Sequence, residues 1–324
     1  MIGHNKYLDL IGYLKENGFA NRECIAKLCE LDVAQAEQLT TNLLKLGAPF
    51  LLMNGSLALD EANIQEPLLL ESILKNIDEE IDAELHLLLH TPSTNHYIKE
   101  LALSGASIVA LSECQTAGVG RSGKHWVSPF GSNIYFSLRR KIKTPLHHIS
   151  PLSLIVGLAV IETLNQFGLN ELKLKWPNDI YFDDRKLSGV LIEVVKHNKE
   201  FVDVIVGIGI NLKLNLTDAS GIDQKWIDIY SIKPDDRISR NEIISTLINT
   251  LDSFINRFEH VGFNDFRKAW QKVDYLFGKE VYTKGMRENS SGIAMGVAPW
   301  GELLIQSGAD LIKISSGEVS VRLS

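Results

Sequence analysis

Residues 114–138 read CQTAGVGRSGKHWVSPFGSNIYFSL and follow the strand-like run ASIVALSE. Gly118, Gly120 and Gly123 spell G-x-G-x-x-G, the spacing of a dinucleotide-binding turn. That turn needs a helix directly after it and an acidic residue about 20 positions further on to hold a ribose. Neither is present: Pro129 and Gly131 interrupt any helix, and no Asp or Glu stands between Glu113 and Glu162. The same acid-free interval holds Arg121, Lys124, Arg139, Arg140, Lys141 and Lys143. A glycine loop that exposes N–H groups among cations suits a polyanion such as ATP, because backbone approaches closely and charge is neutralised. The same composition fits a solvated surface loop, although Trp126 in such a loop calls for something to cover.

On either side of this stretch, residues 68–272 mix helical and extended patterns. Strand-like runs lie at 106–113, 133–139, 171–176, 179–182, 187–195 and 202–212, joined by tight polar turns such as Asp183-Asp184-Arg185. This predicts an antiparallel or mixed sheet with helices against it. Ser150-Pro151 is read as the cap of a helix that Gly168 ends, and Ser239 with Glu242 as a capping box for a long amphipathic helix to about Arg257. Residues 1–65 show helical spacing at Leu8, Ile11 and Leu14, at Ile25 and Leu28, and at Leu39, Leu43, Leu44 and Leu46, with Gly18 and Gly47 at the ends. Asn54-Gly55 then joins two short apolar runs as a hairpin. Helices followed by a hairpin predict a winged helix-turn-helix, with Asp60 to Pro67 as linker. From 275 to 324 the pattern is short β segments with glycines at 278, 285, 292, 296, 301, 308 and 317, which predicts a small all-β barrel. The fold class is thus α+β.

The chain has 324 residues, 45% hydrophobic and 23% charged, so it suits a globular protein of two or three domains. A net charge of -7 excludes a general polyanion-binding surface and confines any nucleic-acid role to a local patch. The first residues break their apolar run with charges, so no export signal is expected there. The apolar stretch at 151–161 is about half of the ~20 residues a membrane span needs, so no membrane role is expected. Cys24, Cys29 and Cys114 have neither metal-type spacing nor an even disulfide framework, which fits a reducing cytoplasm. Cys114, next to the loop, is read as a small core residue.

GVGRSGKHWVSPFGSNIYFS at 118–137 resembles the GRGRRGR-x-W-x-SP-x-G-x-N-x-Y-x-S signature of the biotin protein ligases, including the bifunctional members that also bind an operator. Further segments match in the family's order: Ser93-Thr94-Asn95, Glu113-x-Gln115-Thr116, Lys175-Trp176-Pro177-Asn178-Asp179, Arg185-Lys186-Leu187-Ser188-Gly189, Gly207-x-Gly209-Ile210-Asn211 and Gly317-Glu318-Val319-Ser320-Val321-Arg322. No one of them is decisive; together they span 93–322. The resemblance implies a central domain of the biotin/lipoate ligase type, related to class II synthetases, and a C-terminal barrel of the SH3-like kind. It implies that biotin is activated by ATP, with Mg²⁺, to biotinyl-5'-AMP, and passed to a lysine of the biotin carboxyl carrier protein of acetyl-CoA carboxylase. A homodimer is implied by the resemblance alone.

The resemblance gives Lys186 and Arg121 catalytic roles, since preorganised cations answer charge that builds on phosphate and carbonyl oxygens. It assigns biotin to Ser93, Thr94, Asn95, Gln115, Val119, Gly120, Arg121 and Lys186, and the nucleotide to Gly118, Gly123, Lys124, Trp126, Asn178, Asn211 and Arg322. Asp179 is the candidate for Mg²⁺. By themselves, Ser93-Thr94-Asn95 read as a helix cap, Lys186 as a hairpin lysine, Asp179 as a turn residue and Trp176 as core.

Two departures stand out. Val119 and Ser122 replace loop arginines and Lys124 a third, which predicts altered grip on the adenylate. In the N-terminal segment, residues 1–66 carry five Lys+Arg against nine Asp+Glu, a net of -4. Gln35, Gln38, Thr41 and Asn42 remain as base readers, but phosphate anchors are scarce. Competing readings are lipoate attachment and a transcriptional regulator that senses biotinyl-AMP without ligase activity.

Overall fold

The computed structural model describes residues 3–103, 105, 107–236, 238–284, 290–315 and 320–323. The chain begins with helix α1 (His4–Asn17), short strand β1 (Phe19–Ala20), helices α2 (Arg22–Leu28) and α3 (Val33–Lys45), and hairpin β2 (Phe50–Met53) and β3 (Ser56–Leu59). Asn21 caps α2 by accepting from Cys24 N, and Asp32 with Gln35 forms a reciprocal capping box on α3. Asn54 and Gly55 both have positive φ, the requirement of a two-residue hairpin turn, and the three strands order as β1-β3-β2.

Helix α4 (Leu70–Leu74) leads into a seven-stranded sheet. Its strands are β4 (Ala83–Thr91), β5 (Ser107–Gln115), β6 (Asn133–Ile142), β7 (Lys173–Lys175), β8 (Asp179–Phe182), β9 (Arg185–His197) and β10 (Val202–Asn211), in spatial order β4-β5-β6-β10-β9-β8-β7. All pairs are antiparallel except β4 with β5, whose crossover carries helix α5 (Thr94–Lys99). The sequence reading recovers six of the seven strands and omits β4. The run AELHLLLHT alternates weakly, and seven of its nine residues are half-buried or exposed on a sheet edge. Ala106 lies outside the described residues, so β5 starts at Ser107.

Strand alternation divides the sheet into two faces. On β10, Val202, Val204, Val206, Ile208 and Ile210 join the main core with α6 (Leu152–Gln166) and α8 (Arg240–Val261). Between α7 (Ile229–Ile232) and α9 (Arg267–Val273), α8 packs on α6, and α6 is buried almost all round. The residues in between, Asp203, Ile205, Gly207, Gly209 and Asn211, face the side covered by α5 and the glycine loop. Pro151, not Ser150, is the N-cap of α6, and it makes no side-chain cap bond. Ser239 does cap α8 through Glu242 N, and the helix runs four residues past the expected end.

The C-terminal strands β11 (Glu280–Lys284), β12 (Ser291–Val297), β13 (Leu303–Ser307), β14 (Asp310–Ile314) and β15 (Ser320–Leu323) order as β14-β13-β12-β11-β15. Among the described residues no pairing of β14 with β15 closes this sheet, so the expected barrel stands here as an open five-stranded sheet. Gly285 and Gly317 to Val319 lie outside the described residues. No described helix is long and apolar enough to cross a membrane.

Two buried ion pairs hold the site side in place. Arg139 donates to both oxygens of Asp203 and, through Nη1, to the carbonyls of Ile98, Lys99 and Leu101. It therefore satisfies orphan carbonyls at the end of α5 and anchors that helix to β10. Arg240 meets Glu113 at 2.5 Å with both side chains 1% exposed, while Glu113 also accepts from Leu68 N. Arg240 further donates to the carbonyl of Gly131, whose N–H donates to the carbonyl of Glu113, which ties down the far end of the loop. Tyr7 of α1 packs edge-on against Phe130 at 5.2 Å, so the N-terminal helices share a core with Leu89 and Cys114. The Asp60 to Pro67 stretch is pinned as well, Glu66 accepting from Ser239 and from Arg240 N.

Asp203→Asn should leave the Arg139 guanidinium buried without its counter-charge and lower stability by about 3–5 kcal/mol. Urea denaturation of the full chain measures it, and an unchanged midpoint would show that the pair contributes nothing.

Candidate functional site

No α-helix follows the glycine loop, as Pro129 and Gly131 predict, and the loop folds as a hairpin. Trp126 N donates to Gly118 O, Gly120 N to Lys124 O and Lys124 N to Arg121 O, while Ser122 and Gly123 take positive φ at the tip. Ser122 thus occupies a two-residue turn position that a larger side chain tolerates poorly. Gly118 is required for close approach, since a methyl there would run into Trp126 O and Ser128 Oγ. Val119 is 38% exposed and Lys124 is exposed, both on the rim of the hairpin.

Beneath the hairpin lies a floor without side chains. Gly209 pairs with Gly189 across β10 and β9, and an added methyl on Gly209 would overlap the indole of Trp126. Trp126 Cζ3 and Lys186 Nζ lie 3.2 and 3.3 Å from where a Gly189 methyl would stand. A methyl on Gly207 would run into the amide of Asn95. Trp126 Nε1 is buried and has no hydrogen-bond partner among the described residues. The strip therefore runs from Asn95 over Gly207, then Gly209 and Gly189 under the indole, to Lys186.

At one end of the strip is a polar network. Gln115 Oε1 accepts from Thr94 N and Thr94 Oγ1, and Gln115 Nε2 donates to Ser128 Oγ. Ser137 Oγ lies within hydrogen-bond distance of Thr94 Oγ1 and Asn95 Oδ1, and Asn95 Nδ2 donates to Glu193 Oε2. Ser93, Thr94 and Asn95 are buried; Ser93 stands at the N-cap position of α5, but its hydroxyl makes no cap bond. The cap reading therefore holds for Ser93 by position and not by a side-chain hydrogen bond. Ser128, Ser137 and Glu193 were not singled out from the sequence, although alternation along β6 and β9 puts Ser137 and Glu193 on the glycine face.

At the other end cations converge on one carboxylate. Lys186 Nζ pairs with Asp179 Oδ1 at 2.8 Å and lies 5.4 Å from the centre of the Trp126 ring. Arg121 donates to Asn178 Oδ1, and Asn178 in turn donates to Val190 O, so the loop cation is docked on the β7–β8 turn. Burial holds the Arg121 guanidinium below its usual range, with Asp179 acting the other way. Lys175 is held low chiefly by burial; Asp179 opposes this, while the charges of Lys186, Arg322 and Lys124 add to it. Those influences place Arg322, from β15, and Lys175 in the same field as Lys186. Lys175 was quoted in a motif but given no role, because a strand lysine carries no local signal for its distant neighbours.

Asn211 donates to the carbonyls of Lys186 and Ile227, and Lys186 N and O bond to Lys225 O and Ile227 N. It supports the backbone that carries Lys186. Arg139 and Arg140, grouped above with loop cations, are committed elsewhere: Arg139 to Asp203, and Arg140 to Asp252 on α8. Cys114 is buried, and burial pushes its thiol up to about 12, as befits a core residue. Trp176 is core too, its Nε1 donating to Gly301 O. No group of three or more His, Cys, Asp or Glu able to hold a metal occurs among the described residues.

The four candidate base readers are on α3, far along the chain from this site. Gln35 is engaged in the capping box, Gln38 donates to Asn42 and Thr41 to Glu37 O. The hairpin beside them exposes Leu51, Leu52 and Met53.

A model of the biotin/lipoate A/B protein ligase family matches residues 89–211, the span from β4 to the end of β10. The bifunctional ligase/repressor BirA of Escherichia coli is 32% identical over 234 residues, covering 71% of each chain. The biotin--[acetyl-CoA-carboxylase] ligase of Mycobacterium tuberculosis is 29% identical over 244 residues, covering 73% of this chain and 88% of its own. Among solved structures, the Aquifex aeolicus biotin protein ligase in complex with biotin and ATP superposes with a TM-score of 0.64 at 30% identity, over 74% of this chain and 99% of that one.

Gly209→Ala should lift Trp126 off the strip and raise its accessibility to acrylamide. The increase in quenching, taken as the difference from Gly209→Ala/Trp126→Phe, reads it; equal quenching with and without the alanine would mean the indole does not rest on Gly209.

Proposed function

The chain belongs to the biotin/lipoate A/B protein ligase family, and from that premise we propose that it activates biotin with ATP and attaches it to a lysine of a biotin carboxyl carrier protein. The observation that carries this is the strip itself: polar at one end, side-chain-free under an indole in the middle, cationic at the other. Biotin has a neutral ureido ring, an apolar chain and a carboxylate, in that order. The ring is assigned to Thr94, Asn95 and Gln115, with Ser93, Ser128 and Ser137 around it. The chain is assigned to the glycine strip beside Val119 and Gly120, with Trp126 lifting to admit it. A mostly apolar slot with a few matched polar groups is what such a ligand needs.

The carboxylate would then lie at Lys186. In the first step its oxygen attacks the α-phosphorus of ATP; a phosphorus–oxygen bond forms, the bond to the β-phosphate breaks and pyrophosphate leaves. Negative charge grows on oxygens within reach of Lys186 and Arg121. Lys175, Lys124 and Arg322 add to the field on the nucleotide side, where Gly118, Gly123, Asn178 and Asn211 shape the backbone. Each well-aimed cation contributes roughly 2.7–4 kcal/mol to such a step. In the second step the neutral amine of the carrier lysine attacks the acyl carbon, a carbon–nitrogen bond forms, AMP leaves and the amine sheds its proton.

Mg²⁺ enters with ATP, since it binds one or two carboxylates plus substrate phosphates. Asp179, the carboxylate that pairs with Lys186 at the cationic end, would be its protein ligand, and the ion would draw charge from the phosphates. The Arg121 hairpin then covers the anhydride and excludes water. Val119 and Ser122 in place of arginines leave fewer charges on that cover.

The domains are proposed as 1–65, 68–272 and 275–324. The first is a winged helix-turn-helix by element order, the second a ligase domain of the class II synthetase type, and the third an SH3-like unit that brings Arg322. The relative named a ligase/repressor supports operator binding through α3, with Gln35, Gln38, Thr41 and Asn42 towards the bases. The net charge of -4 over residues 1–66 makes that binding weak and salt-sensitive. A homodimer and a cytoplasmic setting belong to the same reading.

Lys186→Met should slow biotinyl-AMP formation by about 10²–10³-fold, followed as pyrophosphate release from biotin and ATP. Wild-type protein that adds no biotin mass to a carrier domain would sink the reading. Arg121→Gly should instead speed the release of preformed biotinyl-AMP, and unchanged retention would remove Arg121 from the cover.

A further inference from the structure

We infer that the carrier domain docks over the cleft between the β8–β9 turn and residues 274–279, so that its lysine enters across an acidic, aromatic rim. The inference rests on the ligase reading above. The cleft has a volume of about 280 Å³ and adjoins the reacting end of the site through one strand. Strand β8 begins at Asp179, and the Asp183-Asp184 turn brings the chain back to Lys186 within two residues. The turn stands roughly 13 Å from Asp179 along the strand, close enough for a partner seated on it to extend a lysine to the centre.

Charge argues for this approach. The reacting end gathers Arg121, Lys124, Lys175, Lys186 and Arg322 around Asp179, a field that draws in a nucleotide and repels an ammonium. The acceptor lysine is an ammonium until it gives up its proton. It needs a negative approach, and the β8–β9 turn supplies one. Asp183 is 76% exposed and ion-paired with Arg185 at 3.1 Å, and Asp184 accepts from Tyr275 Oη at 2.7 Å. The cleft's own lysines keep their charge but are held back from the turn, Lys173 donating to Lys272 O and Lys279 lying 3.6 Å over the Tyr275 ring. Asp274 is turned inward, bonded to Leu276 N and Trp270 Nε1.

The walls complete the match. Tyr181 and Tyr275, both buried, stack at 5.0 Å as a rigid base, and Phe277 is 59% exposed at the mouth. An exposed ring on a fixed scaffold is a usual anchor of protein recognition. The occupant that fits is a folded domain presenting a lysine on a turn flanked by an apolar side chain.

The test separates the two half-reactions in the full-length chain. Asp183→Asn and Phe277→Ser are compared with wild type for biotinyl-AMP formation, and for transfer from preformed adenylate to a biotin carrier domain at varied carrier concentration. Asparagine tolerates the positive φ of position 183, so that variant keeps the turn. The expected result is adenylate formation within about twofold of wild type and a KM for the carrier raised about three- to tenfold, with the Asp183 effect shrinking at high salt. Unchanged carrier KM in both variants overturns the docking assignment. So does a change confined to self-association, which would make the cleft a contact between copies. Wild-type protein that forms no biotinyl-AMP overturns the ligase reading itself, a separate outcome.

Discussion

The buried pair of Glu113 and Arg240 is the contact on which the site's geometry depends. It joins the end of β5, the start of α8, the segment entering from the N-terminal helices at Leu68, and the far end of the glycine loop at Gly131. A charge this deep is tolerated only when hydrogen bonds satisfy the rest of each group, and here backbone N–H and carbonyl groups do so. Gln115, two residues beyond Glu113, inherits its position. With both feet held, the loop can only fold back as a hairpin over the strands beside it. Tyr7 and Phe130 extend the same clamp into the N-terminal core, so the α1 helix bears on the base of the loop.

The strip beneath the loop is the negative image of that clamp. Alternation along β10 places valines and isoleucines in the main core and two glycines on the opposite face, and Gly189 of β9 completes the floor. Removing side chains leaves room that only a ligand or Trp126 can fill. Arg139 then fixes α5, whose first residues close the polar end. Ligand chemistry is therefore divided by position along one strip: hydrogen bonds at α5, apolar contact over glycine, and positive charge where β7, β8, β9 and the C-terminal sheet meet.

The cationic end illustrates why one residue's role depends on distant chain. Lys186, Lys175, Arg121 and Arg322 come from four segments, and the first three share the carboxylate of Asp179. In a half-buried setting their mutual repulsion is felt more than it would be in water, which favours an anion among them. The acids of the β8–β9 turn lie outside this cluster, giving one hairpin a cationic root and an acidic tip.

Much of this was legible in the sequence because its causes are local. Period-two alternation, Asn54-Gly55, the Asp183-Asp184 turn, the capping residues of α8 and the acid-free glycine loop each depend on neighbours a few positions away. They set the α+β class, six central strands and the rejection of a Rossmann turn. The weakly patterned edge strand β4 escaped, since an edge strand is half-solvated and needs no regular alternation. What only the tertiary structure decided were the partners. Arg139 and Arg140 look like phosphate cations until Asp203 and Asp252, 64 and 112 residues away, neutralise them. Asn211 supports the Lys186 backbone, Lys175 and Arg322 join the cluster, and Ser137 and Glu193 meet Asn95, all through contacts across strands. Sequence pattern reports which face a side chain takes. Which charge it meets there depends on long-range packing, and that decides whether a cation is structural or available to a ligand.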